Sequence, residues 1–360
     1  MIKYLGSKRT LVPLLLSVLR AAPAVRSVAD LFSGTSRVGH ALKGAGYRVI
    51  ANDHNAYAHV LAACYVAADQ ERVERDARRV LRELASLPGR PGYVTEVFCR
   101  QSRFFQPHNG ERIDAIREAI AHGGYRPELE AVLLTSLMEA ADRVDSTCGV
   151  QMAYVKRWSA RSHRRLELRM PAVLPRAAAG PGEAHRREAN ELAREVRADA
   201  AYLDPPYNKH SYLGNYHVWE SLVRWDKPEV YGVACKRVDC RTRKSAFNSK
   251  RRHADAFRRL VDDLDVALMV VSFNDEGFQT QEDLVRTLRR RGSVLVLRRA
   301  YRRYVGARIG IHNPQGERVG TVSHLDNEER VFVVLTDELT RQAEGDATRR
   351  AVLELGAEAV

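Results

Sequence analysis

The chain has 360 residues, which is enough for one large α/β domain with an insertion or for two domains. Its 58 Lys and Arg exceed its 45 Asp and Glu, and the formal charge of +13 favours a polyanionic partner, although an arginine-rich solvated surface would give the same excess. No apolar run approaches the ~18 residues of a membrane span. We therefore expect no membrane span. The five cysteines are scattered without a Cys-x-x-Cys pair, so we expect neither a metal site nor a disulfide framework, and a cytoplasmic location.

Residues 11–53 contain a strand–helix–strand pattern. Leu11 to Leu19 have the apolar spacing of a first helix, and Val28 to Phe32 form a short apolar run that predicts a buried strand. Helical spacing follows over residues 38–42, and Tyr47 to Ala51 predict a second strand. This order predicts two parallel strands joined by a right-handed crossover.

The middle of the chain is predicted to be mostly helical, and the sheet to resume afterwards. Residues 56–87 and 95–160 carry helical patterns, whereas residues 171–189 are rich in Pro, Ala, Gly and Arg, as is typical of a mobile linker. The last two strands are expected to pair antiparallel, with a basic, glycine-rich stretch at residues 301–324 between them. The later strands are predicted at residues 199–203, 266–273, 294–297 and 331–335.

The string Asp204-Pro205-Pro206-Tyr207 is the most informative feature of the chain. It suits methylation of an exocyclic amino group of a nucleobase, whose nitrogen is a poor nucleophile because its lone pair is conjugated into the ring. The Asp204 carboxylate can accept one N–H and the Pro205 carbonyl the other, while the Tyr207 ring stacks on a flipped-out base. The two prolines hold a carbonyl towards the site. An ordinary strand-to-loop exit uses the same residue types, so the upstream residues decide between the two interpretations.

A glycine turn and a later acid indicate a nucleoside-containing cofactor. Asp30, Phe32, Ser33 and Gly34 end the first predicted strand and open a helix, and Gly34 lets a ligand approach the backbone closely. Asp53 ends the second strand, where an acid can accept hydrogen bonds from a ribose diol. The turn lacks the G-x-G-x-x-G pattern of pyrophosphate-binding dehydrogenases, so S-adenosylmethionine is the cofactor that fits.

The order of these motifs carries a resemblance to a known family. A Lys-Tyr-x-Gly-x-Lys start at residues 3–8, the Phe-x-Gly turn, the acid after strand two and the Asp-Pro-Pro-Tyr string follow one another in the chain. In this order the chain resembles the alpha group of the D12 class of adenine-specific DNA methyltransferases, which includes the Dam-like and FokI-type enzymes. The resemblance covers roughly residues 1–300, and the strings at residues 207–217 and 272–277 support it.

The resemblance implies roles for individual residues. The N-terminal motif touches the cofactor, the turn holds its methionine part, Asp53 binds its ribose, and the Asp-Pro-Pro-Tyr string binds the target base. The implied cofactor-binding residues are Tyr4, Lys8, Asp30, Phe32, Ser33, Gly34, Asp53 and Asp204. The implied catalytic residues are Asp204, Pro205, Pro206 and Tyr207.

The resemblance also implies the fold class and domains. We expect an α/β protein with a Rossmann-like, S-adenosylmethionine-dependent methyltransferase sheet, a mostly helical insertion and a basic β-hairpin near the C-terminus. The catalytic domain would comprise residues 1–70 and 190–342. The insertion with target-recognition elements and linker would comprise residues 71–189, and residues 343–360 would form a tail.

Two basic stretches predict contacts to DNA phosphates. Residues 235–259 contain ten Lys or Arg, and a second cluster begins at Arg298. A solvated basic helix face is the alternative interpretation. The predicted contacts are Lys236, Arg237, Arg241, Arg243, Lys244, Lys250, Arg251, Arg252, Arg302 and Arg303.

These features predict a site-specific methyltransferase that modifies N6 of a flipped adenine in double-stranded DNA and acts as a monomer. It would belong to a restriction–modification system with a cognate restriction endonuclease, or act as an orphan modification enzyme. Three alternatives stay open at this point: N4-cytosine methylation, RNA base methylation, and a catalytically silent DNA-binding protein of the same fold. The target sequence also stays open. Gln151 stands where the FokI-type segment carries an aromatic residue, and residues 305–320 match no known counterpart.

Overall fold

A computed structural model describes most of the chain. The described residues are 1–6, 8–209, 211–274, 277–302, 311–312, 318–320, 326–341 and 344–360. The strands are β1 Ser27–Asp30, β2 Arg48–Asn52, β3 Glu183–His185, β4 Ala200–Leu203, β5 Val230–Tyr231, β6 Lys236–Arg237, β7 Leu268–Asn274, β8 Gly292–Arg302, β9 Ile311–His312, β10 Arg318–Gly320, β11 Asp326–Thr336 and β12 Glu358–Ala359. The helices are α1 Val12–Arg20, α2 Arg37–Gly44, α3 Ala56–Ala62, α4 Gln70–Ser86, α5 Pro107–His122, α6 Pro127–Val144, α7 Ala189–Leu192, α8 Tyr212–Asn215, α9 His217–Arg224, α10 His253–Asp263, α11 Gln281–Leu288, α12 Asp337–Arg341 and α13 Gly345–Glu354.

An eight-stranded sheet, in the order β12-β8-β11-β7-β4-β1-β2-β3, forms the centre of the molecule. Strands β3, β2, β1, β4 and β7 are parallel neighbours, as the strand–helix–strand pattern predicts for β1 and β2. Strand β11 runs antiparallel to both β7 and β8, which confirms the predicted antiparallel pair near the C-terminus. The α/β, Rossmann-like fold class is therefore confirmed.

Both faces of this sheet are covered by helices. Helices α1 and α2 pack on one face, and α10 and α11 pack on the other. Successive residues of β7 alternate between the two cores, with Val270 on the α1 side and Val271 on the α10 side. Because parallel strands covered on both sides bury every residue, they appear in the sequence as continuous apolar runs.

The helical segment between β2 and β3 builds a core of its own. Helices α3 to α6 pack together with α9, which returns from the second half of the chain. The insertion is held to the catalytic half through this helix: Arg117 Nε of α5 donates to the Leu222 carbonyl of α9 at 2.7 Å. The mostly helical character of this insertion is as predicted.

Three details differ from the sequence-based expectations. Residues 171–189 were expected to be a linker, but β3 lies within them and pairs with β2, with His185 opposite Asn52, so that interpretation is wrong there. The helical pattern predicted up to residue 160 ends at Val144, since Asp145 is extended. The expected tail contributes α13 and the edge strand β12, which pairs with β8. We therefore propose that the catalytic domain resumes before β3 and includes the tail.

None of the helices in the described part of the chain is both long and apolar enough to cross a lipid bilayer. The His, Cys, Asp and Glu side chains of the same part form no group of three or more that could hold a metal ion. All five cysteines are free thiols, of which Cys64, Cys99 and Cys235 are buried.

Candidate active site

A cleft lies at the carboxyl ends of β1, β2 and β4, where ligands bind in open α/β sheets. Its empty volume is about 830 Å³, part of it open to solvent. Nine of the predicted site residues line this cleft: Tyr4, Lys8, Asp30, Phe32, Ser33, Gly34, Asp53, Asp204 and Pro206. Pro205 and Tyr207 adjoin it in the chain, with Pro205 buried and Tyr207 half-buried. The structure thus brings the N-terminal motif, the turn, the acid and the Asp-Pro-Pro-Tyr string together.

The glycine turn and the acid after β2 are linked directly. The backbone N–H of Gly34 donates to Asp53 Oδ2 at 3.1 Å, and the backbone and side-chain N–H groups of Asn55 donate to Oδ1 at 2.9 and 3.1 Å. Gly34 has a φ of +49°. A Cβ atom there would lie 3.3 Å from the Tyr4 ring, so glycine suits both the conformation and the space.

Tyr4 covers this turn with an aromatic cluster. Its ring is nearly parallel to those of Tyr212 and Tyr216, with centroids 5.2 and 4.6 Å away. Its hydroxyl lies 3.2 Å from the Tyr57 hydroxyl. The N-terminal motif is therefore held against α3 and the segment after the Asp-Pro-Pro-Tyr string.

Asp30 is a buried carboxylate that faces the cleft. It is 1% exposed, and neither oxygen has a hydrogen-bond partner of normal geometry among the described residues, although the backbone N–H groups of Phe32 and Gly39 lie close enough to stabilise its charge in part. Burial, and then the charges of Asp204 and Asp53, raise the pKa of Asp30 to about 8. A cationic group in the cleft would satisfy this carboxylate.

Asp204 is held by two donors on one of its oxygens. Lys8 Nζ lies 3.0 Å from Oδ1, and Ser272 Oγ of β7 donates to the same oxygen at 3.2 Å. Ser272 is in turn 2.9 Å from the Tyr202 hydroxyl. Burial raises the pKa of Asp204 to about 6, while Lys8 lowers it and Glu329 raises it. Neither contact uses Oδ2, which leaves that oxygen as the natural acceptor for a substrate N–H.

Lys8 also binds Glu329, which the sequence analysis missed. Lys8 Nζ lies 2.9 Å from Glu329 Oε1 in an ion pair that lacks hydrogen-bond geometry, and both side chains are buried. Burial lowers the pKa of Lys8, but the Asp204 and Glu329 carboxylates outweigh it and hold the pKa well above its usual value. The two-residue alternation of β11 could have indicated that Glu329 is buried, because its side chain lies on the same face of the strand as those of the buried Val331 and Val333.

The loop formed by the Asp-Pro-Pro-Tyr string is fixed by His253, which was also missed. His253 is fully buried, and its Nε2 lies 3.1 Å from the Pro206 carbonyl. Burial lowers the pKa of His253, so the ring is neutral and Nε2–H donates to the carbonyl. The Tyr207 carbonyl accepts from Phe278 N–H at 2.9 Å, and the Tyr207 ring tilts against Phe273.

Some of the predicted DNA contacts are exposed, whereas others are partly or fully buried, and two of these bind carboxylates of the protein itself. The prediction that Arg237 contacts DNA at the surface is wrong. The Arg237 side chain is 2% exposed, binds both oxygens of Asp226 at 2.8 Å, and contacts Asp239 at 3.0 Å. Arg243 is half-buried and binds Glu220 at 3.0 Å, and Lys236 is half-buried. The exposed predicted residues are Arg241, Lys244, Lys250, Arg251 and Arg252. Arg303 and the side chain of Arg302 lie outside the described residues.

A sequence profile for the D12 class of N6 adenine-specific DNA methyltransferases matches residues 4–273. The chain belongs to this family. It is therefore an adenine-specific DNA methyltransferase, as the order of its motifs predicts. The matched range contains all the implied cofactor-binding and catalytic residues.

Several modification enzymes are similar to this methyltransferase. The type II methyltransferase M.NlaIII of Neisseria lactamica is 31% identical over 76% of this chain and 83% of its own length. The type II methyltransferase M.FokI of Planomicrobium okeanokoites is 28% identical over 76% of this chain and 45% of its own length. The modification methylase StsI of Streptococcus sanguinis is 27% identical over 84% of this chain and 48% of its own length. The chain thus spans most of M.NlaIII but about half the length of the other two.

Proposed function

We propose that this methyltransferase transfers a methyl group from S-adenosylmethionine to N6 of an adenine flipped out of duplex DNA, with Asp204 as the residue that activates the amine. The observation that carries this proposal is the environment of Asp204. It stands at the end of β4 in the wall of the cleft, and Lys8 and Ser272 hold Oδ1 in a fixed position.

The cleft fits S-adenosylmethionine. Its Asp30 carboxylate lacks a hydrogen-bond partner of normal geometry, and the buried Oγ of Ser33 and Oδ1 of Asn55, which also line the cleft, are likewise without hydrogen-bond partners among the described residues. A ligand with a cationic end and several hydrogen-bonding groups would satisfy them. We propose that Asp30, Ser33 and the Gly34 turn hold the methionine part and that Asp53 binds the ribose, with Tyr4 and Phe32 lining the site. When bound, the cofactor supplies an electrophilic methyl group.

The protein residues then have three tasks. Asp204 Oδ2 accepts one N–H of the adenine amino group and the Pro205 carbonyl accepts the other, which draws the nitrogen towards tetrahedral geometry. The negative charge of Asp204 stabilises the positive charge that develops on the nitrogen. Tyr207 stacks on the flipped base. Because the methyl group is already electrophilic, transfer is direct and needs no covalent enzyme intermediate. The amine proton leaves to water after transfer.

The exposed cations next to the catalytic loop support binding of duplex DNA. Arg251 and Arg252 immediately precede His253, which contacts the Pro206 carbonyl, so they lie close to the proposed target base. The similar proteins named as type II enzymes support a role in restriction–modification. We accordingly propose a cognate restriction endonuclease as a partner, a cytoplasmic location, and action as a monomer, since one active site handles one flipped base.

Methyl transfer from labelled S-adenosylmethionine to unmethylated genomic DNA, followed by nucleoside analysis, tests this proposal. N6-methyladenine that is lost in Asp204→Ala is the expected result. N4-methylcytosine would keep the mechanism but overturn the target base. Cofactor binding without any methylated base in DNA would favour an RNA substrate or a silent DNA-binding role. Wild-type activity in Asp204→Ala would remove the catalytic assignment.

A further inference from the structure

Glu329 lies beside the catalytic carboxylate although it comes from the antiparallel strand β11. In the sheet register it lies opposite Asn274 of β7, near the carboxyl end of that strand. Its side chain is 7% exposed, and its Oε1 is 2.9 Å from Lys8 Nζ. Lys8 Nζ is itself 3.0 Å from Asp204 Oδ1. The three side chains therefore form a continuous carboxylate–ammonium–carboxylate series.

A carboxylate is a costly choice at this position. Glu329 shares the buried phase of β11 with Val331 and Val333, so packing alone would favour an apolar residue. Replacing a buried charged pair by apolar residues is often neutral or stabilising, which makes stability a weak reason for its presence. The position of Glu329, one side chain away from Asp204, supplies a functional reason.

We propose that Glu329 is a positioning residue for methyl transfer, which holds the Lys8 ammonium on Oδ1 of Asp204 and keeps the site negatively charged overall. This inference rests on the proposed function of Asp204. Lys8 and Asp204 alone would form a neutral pair. With Glu329 the three groups carry one net negative charge, which stabilises the positive charge on the amine more strongly. It also reserves Oδ2 of Asp204 for the substrate N–H.

The transfer step itself balances without Glu329 changing its protonation. The amino nitrogen forms a bond to the methyl carbon while the sulfur–methyl bond breaks, so the positive charge moves from sulfur to nitrogen. The methylated amine then loses one proton to water. Glu329 acts through Lys8 in this step and does not touch the reacting atoms.

The charge of Glu329 should also shift the pKa of Asp204. Among the described residues, the ionisable side chains around Asp204 are Lys8 from the N-terminal segment, Glu329 from β11, Asp30 from β1, Tyr202 from β4, Tyr207 from the loop and Tyr212 from α8. Glu329 raises the pKa of Asp204, and Lys8 lowers it. Removing the negative charge of Glu329 therefore lowers the pKa of Asp204, so Asp204 stays ionised to lower pH.

Three variants test the proposal: Glu329→Gln, Glu329→Asp and the control Glu328→Gln. Glu328 is the preceding residue of β11, is partly exposed and binds Arg330 at 2.7 Å. For Glu329→Gln we expect kcat to fall roughly tenfold or more, with unchanged affinity for S-adenosylmethionine and an acidic limb of kcat/KM moved to lower pH. Glu329→Asp should keep part of the lost kcat, and Glu328→Gln should match the wild type.

Two results would overturn the inference. If Glu329→Gln has the kcat of the wild type and the acidic limb of its kcat/KM profile lies at the same pH, Glu329 does not act on Asp204. A loss of kcat with an unmoved limb would show a structural role only. If Glu329→Gln does not fold, Glu329→Asp decides, since wild-type kcat there would refute positioning and a reduced kcat with intact cofactor binding would support it. Absence of methyl transfer by the wild type to any DNA would instead overturn the proposed function.

Discussion

The backbone N–H of Gly34 donates a hydrogen bond to Asp53 Oδ2 at 3.1 Å. This bond joins the turn after β1 to the acid after β2, which are the two parts of the proposed cofactor site. Asn55 holds the other oxygen of Asp53 with two donors. A carboxylate fixed in this way is preorganised, so a ribose hydroxyl can donate to the remaining lone pair of Oδ2 without the entropy cost of ordering the side chain.

We therefore expect Asp53→Ala to weaken binding of S-adenosylmethionine by about tenfold to a hundredfold, since it removes charged acceptors from the ribose and loosens the turn. Asp53→Asn keeps one acceptor oxygen and should lose less. Isothermal titration calorimetry of both variants measures the difference. Equal affinities of Asp53→Ala and wild type would place the ribose elsewhere.

The activity should depend on pH through Asp204. Its pKa in the folded protein is about 6, raised mainly by burial. The ionised carboxylate is the stronger acceptor and alone carries the negative charge that stabilises the developing positive charge on the amine, so kcat/KM should be at its full value above this pKa and fall as the pH drops through about 6. A pH profile of kcat/KM from pH 5 to 8 checks this. A flat profile across that window would show that Asp204 does not titrate there in the free enzyme.

Much of the fold could be predicted because its strands are buried on both faces. Strands β1, β2, β4 and β7 are almost entirely buried, and most of their residues are apolar, which the sequence displays directly. Strand β3 could not be recognised in the same way, because its three residues are only partly buried. A long-range contact fixes its position: Asn52 Nδ2 donates to the Arg187 carbonyl at 3.1 Å, and Arg187 N–H donates to Asn52 Oδ1 at 3.0 Å.

The same distinction applies to the site. Residues that follow a strand in a recognisable motif, such as Gly34 and Asp204, could be predicted to converge, because the carboxyl ends of parallel strands share one edge. Glu329 and His253 reach that edge through tertiary packing. The alternation of β11 indicates that Glu329 is buried, but neither residue belongs to a motif that places it beside Asp204. Arg237 illustrates the opposite error, since a cluster of cations in the sequence does not reveal which of them bind carboxylates inside the protein.

His253 should matter through the Pro206 carbonyl. His253→Ala removes the donor at 3.1 Å and the buried ring, so the catalytic loop loses its fixed position. We expect kcat to fall about tenfold, with a smaller effect on cofactor affinity. His253→Gln can still donate a hydrogen bond and serves as the matched variant, with a kcat between those of Ala and wild type. Wild-type kcat in a folded His253→Ala protein would argue against this role.

The exposed arginines before α10 should contribute to DNA affinity. Arg251→Ala with Arg252→Ala removes two exposed cations near the catalytic loop, and the slope of log K against log salt should fall by about 1 to 2. Arg290→Ala is a suitable control, because this exposed arginine binds Asp262 near the start of β8, at the opposite end of the strand from the cleft. Equal salt dependence of the double variant and the wild type would locate the DNA elsewhere.

Arg237 should affect stability and leave DNA binding largely intact. Arg237→Ala leaves Asp226 and Asp239 without their buried partner, and we expect a loss of roughly 2–3 kcal/mol in the free energy of unfolding. This is below the usual range for buried ion pairs, because the carboxylates, 32% and 27% exposed, keep partial access to water. Lys244→Ala, an exposed cation of the same segment, should change stability by less than about 0.5 kcal/mol. Urea denaturation distinguishes the two variants, and equal midpoints would contradict the structural assignment of Arg237.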